Sequence, residues 1–252
     1  MRTYKLIASA LLGALAFVLQ ISNSFLGIPT GFGMTVDLAA VPILLAFFVL
    51  GAEFGAYSLL LLGLIILGTS PTGAIGAVMK VGATLPMVII PYYALKSKTL
   101  KDYAVLAAAA MLVLLAFFYL SAQAFLLASY LAGLVPIAVL LALAYLITHV
   151  KEESTVDLSS PRLAVAVLLL AVIIRGIVAT IANLYFAGPV FFHISPEDFI
   201  GLLQSIELPF IGGSGWWFLI FFWNAVQGAI EFGIAWMLAY RFGLARRYAD
   251  VA

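Results

Sequence analysis

The sequence predicts an all-α fold, a polytopic membrane helix bundle of about eight transmembrane segments, and three observations predict it. Of 252 residues, 65% are hydrophobic and only 9% charged, against about 25% charged in an ordinary soluble domain. Mean hydropathy is +1.21. Apolar runs take up nearly the whole length, which leaves no stretch of the roughly 100 residues that a separate soluble catalytic or nucleotide-binding domain needs. The chain therefore reads as one transmembrane domain over 1–252 with the lipid bilayer as its solvent, and any ATP-driven work falls to a partner. Zero cysteines and 12 Lys plus Arg against 11 Asp plus Glu exclude a disulfide-stapled secreted scaffold and a basic nucleic-acid binder.

The elements follow in order. A spanning helix needs roughly 17–25 mostly apolar residues, and the first such run is 4–22, preceded by Arg2 and Lys5. With no soluble domain behind it to export, it reads as a retained first helix rather than a cleaved signal. Two shorter runs come next, 38–50 and 55–68, separated by Gly51-Ala52-Glu53-Phe54-Gly55. Each covers about 20 Å at 1.5 Å per residue, so they read as short spanning helices or a re-entrant hairpin, and either returns the chain to the same side. Full-length runs then lie at 75–95, 103–120, 124–148, 163–187 and 216–240. The segment from Gly188 to Gly215 carries Pro189, His193, Pro196, Glu197, Asp198, Glu207 and Pro209, and is long enough to fold as a loop over the mouth of a cavity.

Orientation follows from charge, because short loops rich in Lys and Arg stay in the cytoplasm. With the N-terminus inside, the cytoplasmic stretches hold Lys96, Lys98 and Lys101, then Lys151 to Arg162, then Arg241, Arg246 and Arg247; the outer stretches 23–37, 69–74, 121–123 and 188–215 hold no Lys or Arg. The reading is a multi-pass protein of the cell (plasma) membrane with both termini cytoplasmic.

Ionisable groups inside a bilayer cost about 2.5–3.5 kcal/mol on insertion scales and mark function or pairing. Three fall within spans: Lys80, Arg175 and Glu231. Their depths agree to within about 9 Å at 1.5 Å per residue, so they are expected to form one mutually compensating cluster. Asn224, Gln227, Gly228 and Glu231 stand at i, i+3, i+4 and i+7, one face of a helix. Asn183, near the outer end of the preceding helix, is expected to face the same space. Amides that hydrogen-bond in both directions beside a glycine suit a polar small-molecule pocket; interhelical glue is the alternative. No G-x-x-x-x-G-K-[ST] loop, G-x-S-x-G elbow or H-E-x-x-H helix occurs, and His149 and His193 are isolated. No catalytic residue, metal site or cofactor is expected, so the reading is not an enzyme.

The first helix carries Ala10-Leu11-Leu12-Gly13-Ala14, and then come Val36-Asp37-Leu38-Ala39-Ala40-Val41-Pro42, Gly51-Ala52-Glu53-Phe54-Gly55 and Pro71-Thr72-Gly73-Ala74-Ile75-Gly76-Ala77-Val78-Met79-Lys80. Near the C-terminus stand Ala182-Asn183-Leu184-Tyr185-Phe186 with Pro189, and Phe222-Trp223-Asn224-Ala225-Val226-Gln227-Gly228. In this order and spacing the chain resembles the substrate-binding S component of an energy-coupling factor (ECF) vitamin transporter, and is most similar to the riboflavin-uptake branch. The resemblance covers 5–102 and 162–242, and implies a six-helix core in which 103–148 is an inserted helical hairpin. It implies capture of a vitamin-like heterocycle, riboflavin favoured, from outside, with Asp37, Lys80, Asn183, Asn224 and Gln227 as the substrate-binding set. It also implies docking on a transmembrane coupling subunit driven by two cytoplasmic ATPases, through Ala10 and Ala14. Gln227 stands where the riboflavin branch has Lys. The competing reading is a stand-alone secondary transporter that uses Lys80, Arg175 and Glu231 as an ion or proton relay.

Overall fold

The computed structural model describes residues 2–29, 35–70, 73–96, 158–205 and 216–251; the expected hairpin at 103–148 lies outside the described residues. In chain order come α1 (Arg2–Ile21), α2 (Asn23–Leu26), a small antiparallel ribbon of β1 (Ile28–Pro29) and β2 (Thr35–Val36), then α3 (Ala40–Leu50), α4 (Ala52–Thr69) and α5 (Gly73–Lys96). Next are α6 (Pro161–Ala182), a π-turn (Asn183–Ala187), α7 (Gly188–Phe192), α8 (Pro196–Ser205), α9 (Trp216–Trp236), a second π-turn (Met237–Arg241) and α10 (Leu244–Val251). Among the described residues five segments are long and apolar enough to cross a membrane: Arg2–Ile21, Ala52–Thr69, Gly73–Leu95, Pro161–Phe192 and Leu219–Arg241. Leu11, Leu60 and Leu64 are more than half exposed, as residues that meet hydrocarbon rather than water are. The protein is an all-α polytopic membrane helix bundle.

The chain divides into two compact units, Met1–Tyr93 with Trp223–Ala252, and Ala94–Phe222. In the first, α1, α3 and α4 pack together. The α1 face towards α4 is Ser9, Gly13 and Ala16, all buried, at i, i+4 and i+7. Small residues bring the backbones close enough for hydroxyls to bond across. Ser9 Oγ donates to the Phe54 carbonyl at 2.8 Å, and Ser58 Oγ donates to the Ser9 carbonyl at 2.8 Å. A Cβ on Gly13 would stand 3.1 Å from the Ser58 carbonyl oxygen.

The α3–α4 boundary differs from the sequence expectation of a break over 51–55. Gly51 alone makes the turn, with φ of 109°, a conformation that L side chains adopt only under strain. Ala52, Glu53 and Phe54 wind into the first turn of α4, where a carboxylate is favoured by the helix dipole. The Glu53 carboxylate there accepts from Arg2 Nη2 at 3.0 Å and from Tyr57 Oη at 2.6 Å. Gly55 lets α4 lie directly on Phe47 of α3. As a result α4 reaches spanning length at 18 residues while α3 stays at 11, nine of them buried. Apolar on every side, α3 is a core element of its unit.

At the end of the first unit that carries Arg2, α10 folds back after Gly243, whose φ is 75°. Tyr248 stacks on Tyr4 with centroids 5.7 Å apart and packs against Ala46, Leu50 and Phe54. That burial, with a smaller contribution from Tyr4, pushes the Tyr248 phenol above its ordinary range.

In the second unit, the segment expected as an outer loop forms two short helices, over 188–192 and 196–205, joined by a turn at 193–195. Pro189 in the first turn of α7 and Pro196 at the start of α8 both suit helix beginnings. Ser195 caps α8: its Oγ accepts the Asp198 N–H at 3.1 Å, the N-cap bond to the third helical residue, and donates to Asp198 Oδ2 at 2.9 Å. Phe199 lies over Gly188, and Phe221 over Gly176, where any Cβ would overlap the rings.

Candidate functional site

The site is built on the first turn of α3 in the first unit. A helix N-terminus leaves backbone N–H groups without intrahelical partners, and two consecutive ones here are taken by acidic side chains. The Ala39 N–H donates to Asp37 Oδ1 at 2.9 Å, an Asx turn within the linker that leads into α3. The Ala40 N–H donates to Glu231 Oε1 of α9 at 3.3 Å, across 191 residues of sequence. Asp37 is 6% exposed and Glu231 fully buried.

Each carboxylate holds a second polar group. Lys80 Nζ of α5 donates to both oxygens of Asp37, at 2.6 and 2.8 Å, with the two side chains 11% and 7% exposed. Gln227 Nε2 donates to Glu231 Oε1 at 3.1 Å, one helical turn away on α9. Because the amide nitrogen is the donor in this bond, the Gln227 carbonyl oxygen is turned to the other side. Asn224 is 3% exposed and Gln227 5%, so the α9 stripe expected at i, i+3, i+4 and i+7 is one buried face, with Gly228 buried in it. On α5, one turn beyond Lys80, Thr84 is fully buried with no hydrogen-bond partner for its hydroxyl among the described residues.

The arrangement is two acid-held groups, an ammonium and a primary amide, fixed to adjacent amides of one helix end. It can hold a polar uncharged molecule by hydrogen bonds, since the Lys80 charge is already balanced by Asp37. It contains no nucleophile paired with a base.

The structure sorts the sequence-predicted residues as follows. Asp37 and Lys80 meet, and Gln227 meets Glu231, with Asn224 on the same face as the latter pair. Of the residues expected to cluster, Lys80, Arg175 and Glu231, the Lys80 ammonium is bound bidentately by Asp37. The physical reason is the linker 37–39, which turns into α3 and carries the Asp37 carboxylate to α5. Arg175 is 1% exposed on α6 of the second unit. Asn183 also belongs to that unit, at the start of its π-turn, and its Nδ2 donates to the Ala179 carbonyl at 2.7 Å. Ala10 and Ala14 are exposed on α1, on a different face from Ser9 and Gly13. Sequence reasoning missed Thr84, although its position four residues after Lys80 places both on one helical face.

No protein-family profile, curated protein or solved structure matches the chain.

Proposed function

We propose that this protein is the substrate-binding S component of an ECF-type ATP-driven importer that captures a vitamin-like heterocycle, with riboflavin the favoured cargo. The observation that carries this reading is the buried pair of acid-held groups, Lys80 on Asp37 and Gln227 on Glu231, at one helix end inside an otherwise apolar bundle. A flat ring with alternating carbonyl and N–H edges suits an ammonium and amides that are already oriented, because leaving such groups unsatisfied costs about 1–3 kcal/mol. The exposed face of Ala10 and Ala14 supports docking of a transmembrane coupling subunit, since small residues let a second helix approach closely. ATP hydrolysis then belongs to two cytoplasmic partner subunits.

The buried Asp37–Lys80 ion pair also favours a second reading, a stand-alone secondary transporter in which intramembrane ionisable groups relay protons or ions. One comparison separates the two. The purified chain in liposomes is given an imposed ion gradient and labelled riboflavin, and the same chain is isolated from cells with its associated proteins. Co-purified ATPase subunits and no gradient-driven uptake support the first reading; uptake by the chain alone supports the second. Mass spectrometry of the small molecule retained after gentle purification identifies the cargo in either case.

A further inference from the structure

The end of the first unit that carries Arg2 also carries a cluster of cations that the proposed transport reading does not use. The last span ends at Arg241 in a π-turn, and Phe242 and Gly243 lead straight from it into α10. Arg241 lies over the Trp236 ring, 5.4 Å from its centroid. Arg246 and Arg247 are exposed on α10. Lys5 sits over the rings of Phe54 and Tyr248, at 5.8 and 5.7 Å. No ion pair among the described residues involves any of these four cations, whereas Arg2 beside them is bound to Glu53.

The apolar residues here are arranged in two ways. Tyr248 turns inwards and fastens α10 to Tyr4, Ala46, Leu50 and Phe54. Phe242, 68% exposed, and Leu244, 36% exposed, turn outwards beside the arginines. A helix that starts within a few residues of a span end is held at headgroup level. Cations flanked by outward apolar side chains at that level are the signature of an interfacial helix. Guanidinium groups match phosphate oxygens in a planar, two-pronged fashion, and the Trp236 ring beneath Arg241 and the Tyr248 ring beneath Lys5 are of the types that favour the bilayer interface.

We propose that α10, with Arg241, Arg246, Arg247 and Lys5, is a binding surface for anionic phospholipid headgroups. Phe242 and Leu244 enter the acyl boundary while the arginines take the phosphates. The same contact anchors α10 against α3, because Tyr248 ties its other face to the core.

The full chain, purified in a neutral detergent, tests this when titrated separately with phosphatidylglycerol, phosphatidylcholine and inorganic phosphate. The readouts are thermal unfolding and the lipid retained in native mass spectrometry. Phosphatidylglycerol is expected to raise the unfolding temperature and to remain bound, with little effect from phosphatidylcholine or free phosphate. Arg246→Gln with Arg247→Gln should weaken that preference by roughly 25-fold, about fivefold for each surface cation. Arg246→Lys with Arg247→Lys should keep most of it. Salt at about 0.5 M should suppress it in the unsubstituted protein, which tests the proposal even if the double variant does not fold. Equal responses to the two lipids, an effect reproduced by inorganic phosphate, or a preference unmoved by both salt and substitution would overturn the proposal. So would a soluble protein captured through Arg246 and Arg247 by a chain that shows no lipid preference.

Discussion

Lys80 and Asp37, 43 residues apart, form a two-pronged ion pair at 2.6 and 2.8 Å within the helix bundle. Removing one partner of a buried pair strands the other's charge, which typically costs 3–5 kcal/mol, whereas removing both is far milder. Lys80→Met is expected to lower unfolding stability by about 3 kcal/mol, and Lys80→Met with Asp37→Asn to recover more than half of that. Unfolding of the single and double variants in detergent measures it; additive losses would show that the pair is not coupled.

The bond between Gln227 and Glu231 makes a separate prediction about affinity. Asn224→Leu removes an amide from the buried α9 face and should weaken riboflavin binding by about 5- to 150-fold, at 1–3 kcal/mol for an unsatisfied group. Gln227→Lys places an ammonium one turn from the Glu231 carboxylate, where it pairs, so flavin binding should be retained or improved. Calorimetry on both variants decides. Unchanged affinity in Asn224→Leu would remove this face from the site.

Adjacent positions on α1 should behave in opposite ways. Ala14 is exposed, and Ala14→Trp should leave unfolding stability and ligand affinity within a few-fold of the original while abolishing assembly with the coupling subunit. Gly13 touches the Ser58 carbonyl and Leu61, so Gly13→Leu should destabilise the bundle itself by about 1–3 kcal/mol through overpacking. Loss of affinity with intact assembly in Ala14→Trp would reverse the assignment of faces.

The stacking of Tyr4 on Tyr248 places residue 3 and α10 at the same end of their unit. Because the chain has no native Cys, Thr3→Cys and Ala245→Cys can be probed with an impermeant thiol reagent. Both are expected to be protected in intact cells and labelled after permeabilisation. Labelling of one alone from outside would break the topology.

What was legible in the sequence was what depends on near neighbours. Apolar runs gave the helices, and the 3.6-residue period put Asn224, Gln227, Gly228 and Glu231 on one buried face. Pairings across the chain were less accessible. Depth arithmetic placed Lys80 level with Glu231, yet it does not encode the turn at 37–39 that delivers Asp37 to α5. The boundary at Gly51 was blurred for a different reason: five residues containing two glycines look like a break, and only the positive φ distinguishes the residue that turns from the one that packs on Phe47. The helix at 196–205 was signalled by Ser195 and Asp198 three positions apart, a cue overshadowed by the prolines and glycines around it.

The shortness of α3 has an electrical consequence. Its 11 residues extend about 16 Å at 1.5 Å each, roughly half of a hydrocarbon core about 30 Å thick. With α3 along the membrane normal and its Gly51 end, which adjoins the charged Arg2–Glu53 pair, at the water boundary, Asp37 and Lys80 would stand near the middle of the membrane field. A full charge crossing the whole field does work of about 2.3 kcal/mol per 100 mV, so one brought to this depth does about half that. An uncharged molecule does none, and the Asp37–Lys80 pair, being net neutral, adds no gating charge of its own. On the proposed importer reading, loading of this site by a neutral cargo should therefore be insensitive to membrane voltage, which uptake at imposed potentials measures.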